Sequence, residues 1–221
     1  MGDYDAIVLG AGAAGMMCAA TAGQRGRRVL LADHADAPGK KILISGGGRC
    51  NFTNIHTAAD RYLSANPHFA KSALGRYTPQ DFLTLIGRYG IAWHEKTLGQ
   101  LFCDGSAKQI VAMLLDDLAA VGGELWLETE LGAVTRAEQG FRVDTSRGPV
   151  QAASVIVATG GKSIPKMGAT GIGYRIAEGF GLPLVETRPA LVPLTLADQV
   201  LEPLKALAGT AVDGRASAGR T

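Results

Sequence analysis

Six residues near the start of the chain have the types and spacing of a phosphate-binding turn. Residues 10–15 read GAGAAG, which places Gly10, Gly12 and Gly15 in a GxGxxG pattern. Gly10 permits a tight turn, Gly12 lets the backbone approach a pyrophosphate, and Gly15 lets a helix pack closely on a strand. The free amides and the positive dipole end at the start of that helix attract phosphate groups.

The residues around this turn predict the elements that would position it. Residues 4–9 (YDAIVL) are a short apolar run typical of a buried strand, and an alanine-rich stretch to about Gln24 predicts a helix. Residues 28–32 predict the next strand, which ends at Asp33, where a carboxylate can accept hydrogen bonds from ribose hydroxyls. This βαβ unit predicts a nucleotide site, while a glycine turn without a ligand and a solvated Asp33 stay open as alternatives.

A second glycine-rich segment places bare backbone beside a fixed positive charge. Residues 45–51 read SGGGRCN, in which consecutive glycine amides can form an anion-binding concavity and the Arg49 guanidinium can act as a charged clamp. Cys50 has two interpretations: a redox thiol with a lowered pKa beside Arg49, or a small residue packed in the core. From Asp33 to about Asn54 we expect an irregular loop, and loops of this length are usually functional.

The sequence lacks the motifs of a metal site, a disulfide framework or a catalytic nucleophile. The 4 histidines lack metal-ligand spacing, the 3 cysteines form neither a disulfide framework nor a CxxC motif, and no GxSxG nucleophile elbow is present. We therefore expect no metal site, and we expect a bound cofactor to supply the reactive group.

Composition excludes several classes of protein. The 22 Lys and Arg residues face 20 Asp and Glu residues, a net charge of +2, so we expect no nucleic-acid partner, which would need a basic surplus. The start of the chain is acidic where a signal peptide is basic, and glycines interrupt the uncharged residues 6–24. We therefore expect a soluble cytoplasmic protein without a membrane partner. The sequence does not predict an oligomeric state.

The rest of the pattern predicts alternating helices and strands, and hence an α/β fold. Helices are expected from Pro67 with Asn66 as the cap, at 79–89, at 107–121, from a cap at Thr170 or Gly171 to about Phe180, and at 198–207. Three short antiparallel strands are expected at 124–128, 131–136 and 141–145, followed by a buried apolar strand at 155–158. That last strand ends in a second glycine turn, Thr159-Gly160-Gly161.

The N-terminal βαβ unit and the later strand that ends in ATGG together resemble the FAD-binding domain of glutathione-reductase-like flavoproteins. In those proteins a three-stranded antiparallel meander is inserted in a Rossmann-like parallel sheet. More specifically, GKKILISGGGRCNFTN, ATGGKSIPKMGATGIGY and RPALVPLTL are similar to segments of the bacterial NAD(P)/FAD-dependent oxidoreductase family that includes BaiN-type reductases and aminoacetone oxidases. One departure is GQLFCD at 99–104, where many members have a GRVFP-type segment.

This resemblance implies FAD as the cofactor and assigns residues to it, without assigning catalytic residues. The pyrophosphate would contact Gly10, Gly12, Ala13, Ala14 and Gly15, and the adenosine ribose would contact Asp33. The pyrophosphate and flavin side would be lined by Lys41, Gly47, Gly48, Arg49, Cys50 and Asn51. The adenine would contact the backbone of Leu131, and the cofactor would be closed over by Thr159, Gly160 and Gly161.

The implied function is that of an FAD-dependent oxidoreductase. NAD(P)H would reduce FAD, which would pass the hydride to a small unsaturated or carbonyl substrate or to oxygen. An FAD-binding module without independent catalysis is the alternative; an NAD-only dehydrogenase would leave SGGGRCN unexplained. Because family members are longer, we expect residues 1–193 to be the N-terminal segment of the FAD-binding domain and residues 194–221 the truncated start of a second domain.

Overall fold

The computed structural model of the chain describes residues 2–188, 195–207 and 210. In chain order the strands are β1 (Tyr4–Leu9), β2 (Val29–Ala32), β3 (Asn51–Asn54), β4 (Trp93–Glu95), β5 (Gln100–Cys103), β6 (Glu124–Trp126), β7 (Leu131–Ala137), β8 (Gly140–Thr145) and β9 (Val150–Val157). The helices are α1 (Ala13–Gln24), α2 (Lys40–Ile44), α3 (Lys71–Arg76), α4 (Pro79–Arg88), α5 (Lys108–Ala120), α6 (Ile172–Gly179) and α7 (Asp198–Lys205).

A six-stranded sheet carries the candidate site. Its strand order is β6-β2-β1-β9-β8-β7, in which β6, β2, β1 and β9 are parallel and β9, β8 and β7 are antiparallel. In the middle of the sheet Val8 lies between Leu31 of β2 and Ile156 of β9. Apolar residues on neighbouring central strands are typical of a parallel sheet buried on both faces. The predicted α/β fold class with a Rossmann-like sheet is confirmed.

The antiparallel part of the sheet has different members from those predicted. The segment predicted as its first strand, 124–128, contains β6, which pairs in parallel with β2 at the edge of the sheet. This strand follows helix α5, and a helical crossover returns the chain in the parallel direction. The three consecutive antiparallel strands are instead β7, β8 and the first half of β9.

Helices α1 and α5 cover one face of the sheet and supply most of the core. Met16 of α1 and Met113 and Leu118 of α5 are almost completely buried against Val8 and Leu31. Each such side chain stabilises the fold by about 1.5–3 kcal/mol when it is fully buried. A smaller cluster around Ile7, Leu9 and Val143 lies on the other face.

The expectation of an irregular loop from Asp33 to about Asn54 is wrong. That stretch contains α2, a 3₁₀ turn at Ser45–Gly48 and β3, and β3 joins β5 and β4 in a second, three-stranded antiparallel sheet. The partner of β3 lies far along the chain, so no local periodicity reveals the pairing. The strand predicted at 155–158 is the end of the longer β9, and Val157 there is 43% exposed rather than buried.

The sequence predicts the start of some helices correctly and the start of one helix wrongly. Thr78 caps α4 as predicted: its side chain accepts from the Asp81 amide, and the Asp81 carboxylate accepts from the Thr78 amide. The helix expected after Asn66-Pro67 begins only at Lys71, because Asn66 accepts from the amides of His68 and Phe69 in a turn. Helices α5 and α6 lie within about one residue of their predicted bounds.

Contacts divide the described residues into two units, which lie within Met1–Leu184 and Val185–Thr221. The predicted boundary between residues 193 and 194 lies outside the described residues. In the second unit α7 forms within the predicted range 198–207. No helix among the described residues has the length and apolar character needed to cross a membrane.

Candidate nucleotide-binding site

A cavity of about 630 Å³ opens at the carboxyl ends of three parallel strands. Gly10 follows β1, Asp33 follows β2 and Thr159 follows β9, and all three residues line the cavity. In open α/β sheets, ligands bind at this edge because the strand ends and helix N-termini converge there. A hollow of about 800 Å³ at the opposite edge contains a hydrogen bond from Tyr4 Oη to Glu124, so those polar groups satisfy each other.

The glycines of the GAGAAG turn have different structural roles. Gly10 has a φ of +105°, and a Cβ there would lie 2.6 Å from the carbonyl oxygen of Ala158. A Cβ on Gly15 would collide with the carbonyl oxygen of Gly10. A Cβ on Gly12 would meet no protein atom within 4 Å and would enter the cavity. Two of the glycines therefore build the turn, whereas Gly12 leaves space beside it.

The first turn of α1 points its amides toward that space. Its N-cap is Gly12, so no capping side chain accepts hydrogen bonds from these amides. Ala13 and Ala14 line the cavity, as Gly12 does. Unsatisfied amides and the helix dipole together form an anion site at a helix N-terminus. The geometry suits a phosphate group at this point.

Asp33 ties the end of β2 to the glycine turn. Its Oδ2 accepts a hydrogen bond from the Ala11 amide at 2.6 Å, and its Oδ1 accepts from the Ala35 amide at 2.9 Å. The His34 Nδ1 also lies 3.2 Å from Oδ1. A carboxylate has about four acceptor positions, so capacity for a ligand hydroxyl remains. The carboxylate therefore has a structural role in the turn that the sequence did not predict.

Lys41 connects α2 with the second glycine turn. Its Nζ donates to Ser163 Oγ at 3.2 Å, and a Cβ on Gly160 would lie 3.8 Å from the same Nζ. Lys41, Thr159 and Gly160 all line the cavity, whereas Gly161 does not. The ammonium group therefore adds a positive charge to the same cavity as the α1 amides.

The SGGGRCN segment reaches the cavity only at its ends. Ser45, Cys50 and Asn51 line it, while Gly47, Gly48 and Arg49 do not. Cys50 is 4% exposed within the core, and burial raises the pKa of its thiol despite the hydrogen bond with Ser45. The interpretation as a redox thiol with a lowered pKa is therefore wrong, and the small-core-residue interpretation fits.

Two further predicted residues lie away from the cavity wall. Gly15 lies beneath the turn, where it allows α1 to approach Gly10. Leu131 begins β7, pairs with Thr145, and does not line the cavity. The predicted contact between the Leu131 backbone and an adenine stays a prediction. No group of His, Cys, Asp and Glu within the described ranges could hold a metal ion.

The sequence does not predict the apolar wall that lines one side of the cavity. It is formed by Met17, Phe52, Phe82, Ile110 and Leu114. The rings of Phe52 and Phe82 lie 5.8 Å apart and join β3 to α4. The position of Phe52 directly after SGGGRCN is a local signal, but the approach of α4 is a tertiary event that no spacing indicates. The wall gives the cavity an apolar surface beside the polar groups at the start of α1.

Comparisons with known proteins agree with this architecture. A family model described as HI0933-like protein Rossmann domain matches residues 4–217. The chain is 55% identical over 209 residues to the ribosomal RNA dihydrouridine synthase of Escherichia coli (strain K12), covering 95% of this chain and 52% of that protein. It is 30% identical over 217 residues to the 3-dehydro-bile acid delta(4,6)-reductase of Clostridium scindens, covering 96% of this chain and 51% of that protein.

Among solved structures, a glycine oxidase from Geobacillus kaustophilus has a similar fold. The TM-score is 0.52 at 17% identity, over 83% of this chain and 60% of that chain. This likeness concerns the fold alone. The chain spans about half the length of the curated relatives it matches.

Proposed function

The chain belongs to the family described as HI0933-like protein Rossmann domain, and from that premise we propose that it forms the FAD-binding part of a flavin-dependent reductase. The observation that carries the proposal is the open space at Gly12, beside the uncapped amides of α1 and at the edge of the cavity. A pyrophosphate in that space would accept from those amides. The residues present therefore fit the cofactor.

Three other features support FAD as the ligand. The Asp33 carboxylate has acceptor capacity for the hydroxyls of the adenosine ribose. The Lys41 ammonium group would offset the negative charge of the phosphates. The wall around Phe52 and Phe82 would shield an aromatic ring system from water. When bound, FAD supplies two-electron hydride chemistry, for which NAD(P)H is the electron donor we propose.

The names of the relatives suggest the substrate class. A dihydrouridine synthase is named for a product in which the C5–C6 double bond of uracil is reduced to a single bond. A delta(4,6)-reductase is named for reducing carbon–carbon double bonds. In the substrates of both reactions, the double bond that is reduced is conjugated with a carbonyl group. We therefore propose that the complete protein reduces a double bond of this type, and that uridine in ribosomal RNA is its substrate. The 55% identity supports this choice.

The atoms and electrons of the proposed reaction balance with NAD(P)H as the reductant and the uracil ring as the group that is reduced. NAD(P)H gives up a hydride and becomes NAD(P)⁺, while the uracil gains a hydride at one carbon and a proton from solvent at the other. An RNA substrate departs from the expectation, drawn from the near-neutral charge balance, that the protein has no nucleic-acid partner.

The second candidate function is that of an FAD-binding module without catalysis of its own. It is favoured by the coverage of the relatives, since this chain spans 52% of the E. coli protein. Substrate pockets of two-domain enzymes often lie between domains. A catalytic cleft would then need residues beyond the 221 of this chain.

One experiment tests both candidates. The 221-residue chain and a version extended by its native downstream sequence would be purified, and bound flavin would be measured by absorbance. Each would then be incubated with NADPH and unmodified ribosomal RNA, and digested nucleosides would be analysed by mass spectrometry. A uridine that gains two hydrogen atoms with the extended version supports the reductase. Flavin-loaded protein that leaves all uridines unchanged would contradict it.

A further inference from the structure

We propose that residues 55–77, named here the aromatic–basic segment, form a surface that binds unpaired RNA beside the cavity. The segment leaves the cavity wall after Phe52 of β3 and returns to it before Phe82 of α4. It is therefore anchored at both ends to the site where the chemistry is proposed. This inference rests on the proposed function, because it assigns the RNA substrate to a particular surface.

The segment exposes large apolar side chains that the fold does not cover. All residues from 60 to 69 are exposed, and among them Leu63 is 99% and Phe69 71% accessible. Tyr62 and Tyr77 are also exposed. Contiguous exposed apolar surface on a folded protein marks an interaction site, and the exposure of these side chains within one stretch of the chain fits such a role.

Positive charge accompanies these aromatic rings. The segment contains Arg61, Lys71 and Arg76 against a single acidic residue, Asp60, which gives it a net charge of +2. This equals the net charge of the whole chain, so the other residues balance to zero. Among the described residues neither Lys71 nor Arg76 forms an ion pair, and Arg61 lies 3.8 Å from an exposed Asp60. The segment is thus a local basic surface that the near-neutral total conceals.

Aromatic rings interleaved with cations fit unpaired RNA better than other partners. Successive bases stack on aromatic side chains, while Lys and Arg contact the backbone phosphates. A double helix hides its base faces and would leave Tyr62 and Phe69 without stacking partners. A protein partner would bury the apolar side chains but would not account for the local cationic surplus.

The test measures RNA binding separately from catalysis. A fluorescein-labelled, uridine-containing single-stranded RNA would be titrated with the FAD-loaded, extended protein, and anisotropy would be recorded over a range of salt concentrations. Variants Tyr62→Ala and Phe69→Ala remove the rings, and a triple variant replaces Arg61, Lys71 and Arg76 with Gln. Arg27→Gln and Leu182→Ala serve as matched controls, since both residues are exposed outside the segment. Circular dichroism would check that each variant is folded.

We expect each aromatic variant to weaken binding at least about fivefold, because one stacked base is lost. The triple variant should reduce the slope of log affinity against log salt by about 2, since each single-strand phosphate contact contributes about 0.7. The two control variants should bind as the wild type does, and a duplex of the same sequence should bind more weakly. Unchanged binding by folded Tyr62→Ala and Phe69→Ala would overturn the proposal, and so would equal affinity for the duplex.

The dihydrouridine assay separates this inference from the proposed function. RNA binding that depends on the segment but yields no dihydrouridine contradicts the reductase and leaves the surface supported. Dihydrouridine formation that the segment variants do not impair, together with unchanged binding, overturns the surface and leaves the reductase supported.

Discussion

The Ala11 amide donates a hydrogen bond of 2.6 Å to Oδ2 of Asp33, so the end of β2 holds the turn that follows β1. The acid at the end of the second strand is thus a fixed part of the GAGAAG turn as well as a candidate ribose ligand. Substitutions at Asp33 should therefore affect both the stability of the turn and the binding of a nucleotide.

Asp33→Ala should weaken FAD binding by about 1–3 kcal/mol, because it removes a charged acceptor from the turn and from the proposed ribose site. Asp33→Asn should weaken it less, since the amide oxygen can still accept from the Ala11 amide. Titrations followed by flavin fluorescence would give both affinities. Equal affinities for the wild type and Asp33→Ala would mean that Asp33 does not contact the cofactor.

Gly12→Val should abolish FAD uptake while leaving the fold intact. The new side chain meets no protein atom within 4 Å of its Cβ, so it would fill the space proposed for the pyrophosphate. Gly87→Val is a matched control: a Cβ there is equally unobstructed, but Gly87 does not line the cavity. Flavin absorbance of the purified variants gives the result. A Gly12→Val protein with a full complement of flavin would place the phosphates elsewhere.

Gly15→Ala should show the opposite pattern, a loss of stability that does not depend on the cofactor. Its Cβ would collide with the Gly10 carbonyl oxygen, and α1 would have to move from β1. Overpacking of this kind costs about 1–3 kcal/mol. Urea unfolding of flavin-free protein would measure the loss. A midpoint equal to that of the wild type would show that the turn tolerates a side chain.

Lys41→Met should lower FAD affinity by about 1 kcal/mol, a modest loss because the ammonium group is exposed to solvent. The difference from the wild type should shrink as salt concentration rises, since screening weakens the attraction to phosphate. Lys108→Met, an exposed substitution at the start of α5, is the control. A salt-independent difference, or none, would remove Lys41 from the phosphate site.

Alkaline pH should weaken the fold through Cys103. Burial raises the pKa of its thiol from 9.0 to about 11, with a smaller contribution from Cys50. The folded protein therefore keeps a proton that the unfolded chain loses, so the free energy of unfolding falls as pH rises from about 9 to 11. Urea unfolding at several pH values should give a shallower decline for Cys103→Ala than for the wild type. Equal slopes would contradict the shifted pKa.

The sequence predicted best the parts of the site that local spacing determines. Gly10, Gly12, Asp33 and Thr159 each follow the end of a strand, and the strand pattern alone places them at one edge of the sheet. The turn chemistry at Thr78 likewise depends on neighbours three residues apart, and α4 begins where it was predicted.

The parts that could not be predicted depend on contacts between distant segments. Strand β3 has no local signal because its partner β5 lies about fifty residues further along the chain. Local spacing also predicts the wrong part of the sheet for β6, because the neighbour of β6 is β2. The wall formed by Phe52 and Phe82 arises from the same long-range packing. The sequence leaves the role of Cys50 open because the burial that raises the pKa of its thiol is not visible from the adjacent Arg49.

A structure of the chain determined with FAD would test the central claim most directly. We predict the pyrophosphate at the amides of Ala13 and Ala14, beside Gly12, with the adenosine ribose at the Asp33 carboxylate and Lys41 near the phosphates. An FAD molecule bound at the opposite edge of the sheet, near Tyr4 and Glu124, would contradict the account, as would a pyrophosphate that contacts neither α1 nor Lys41.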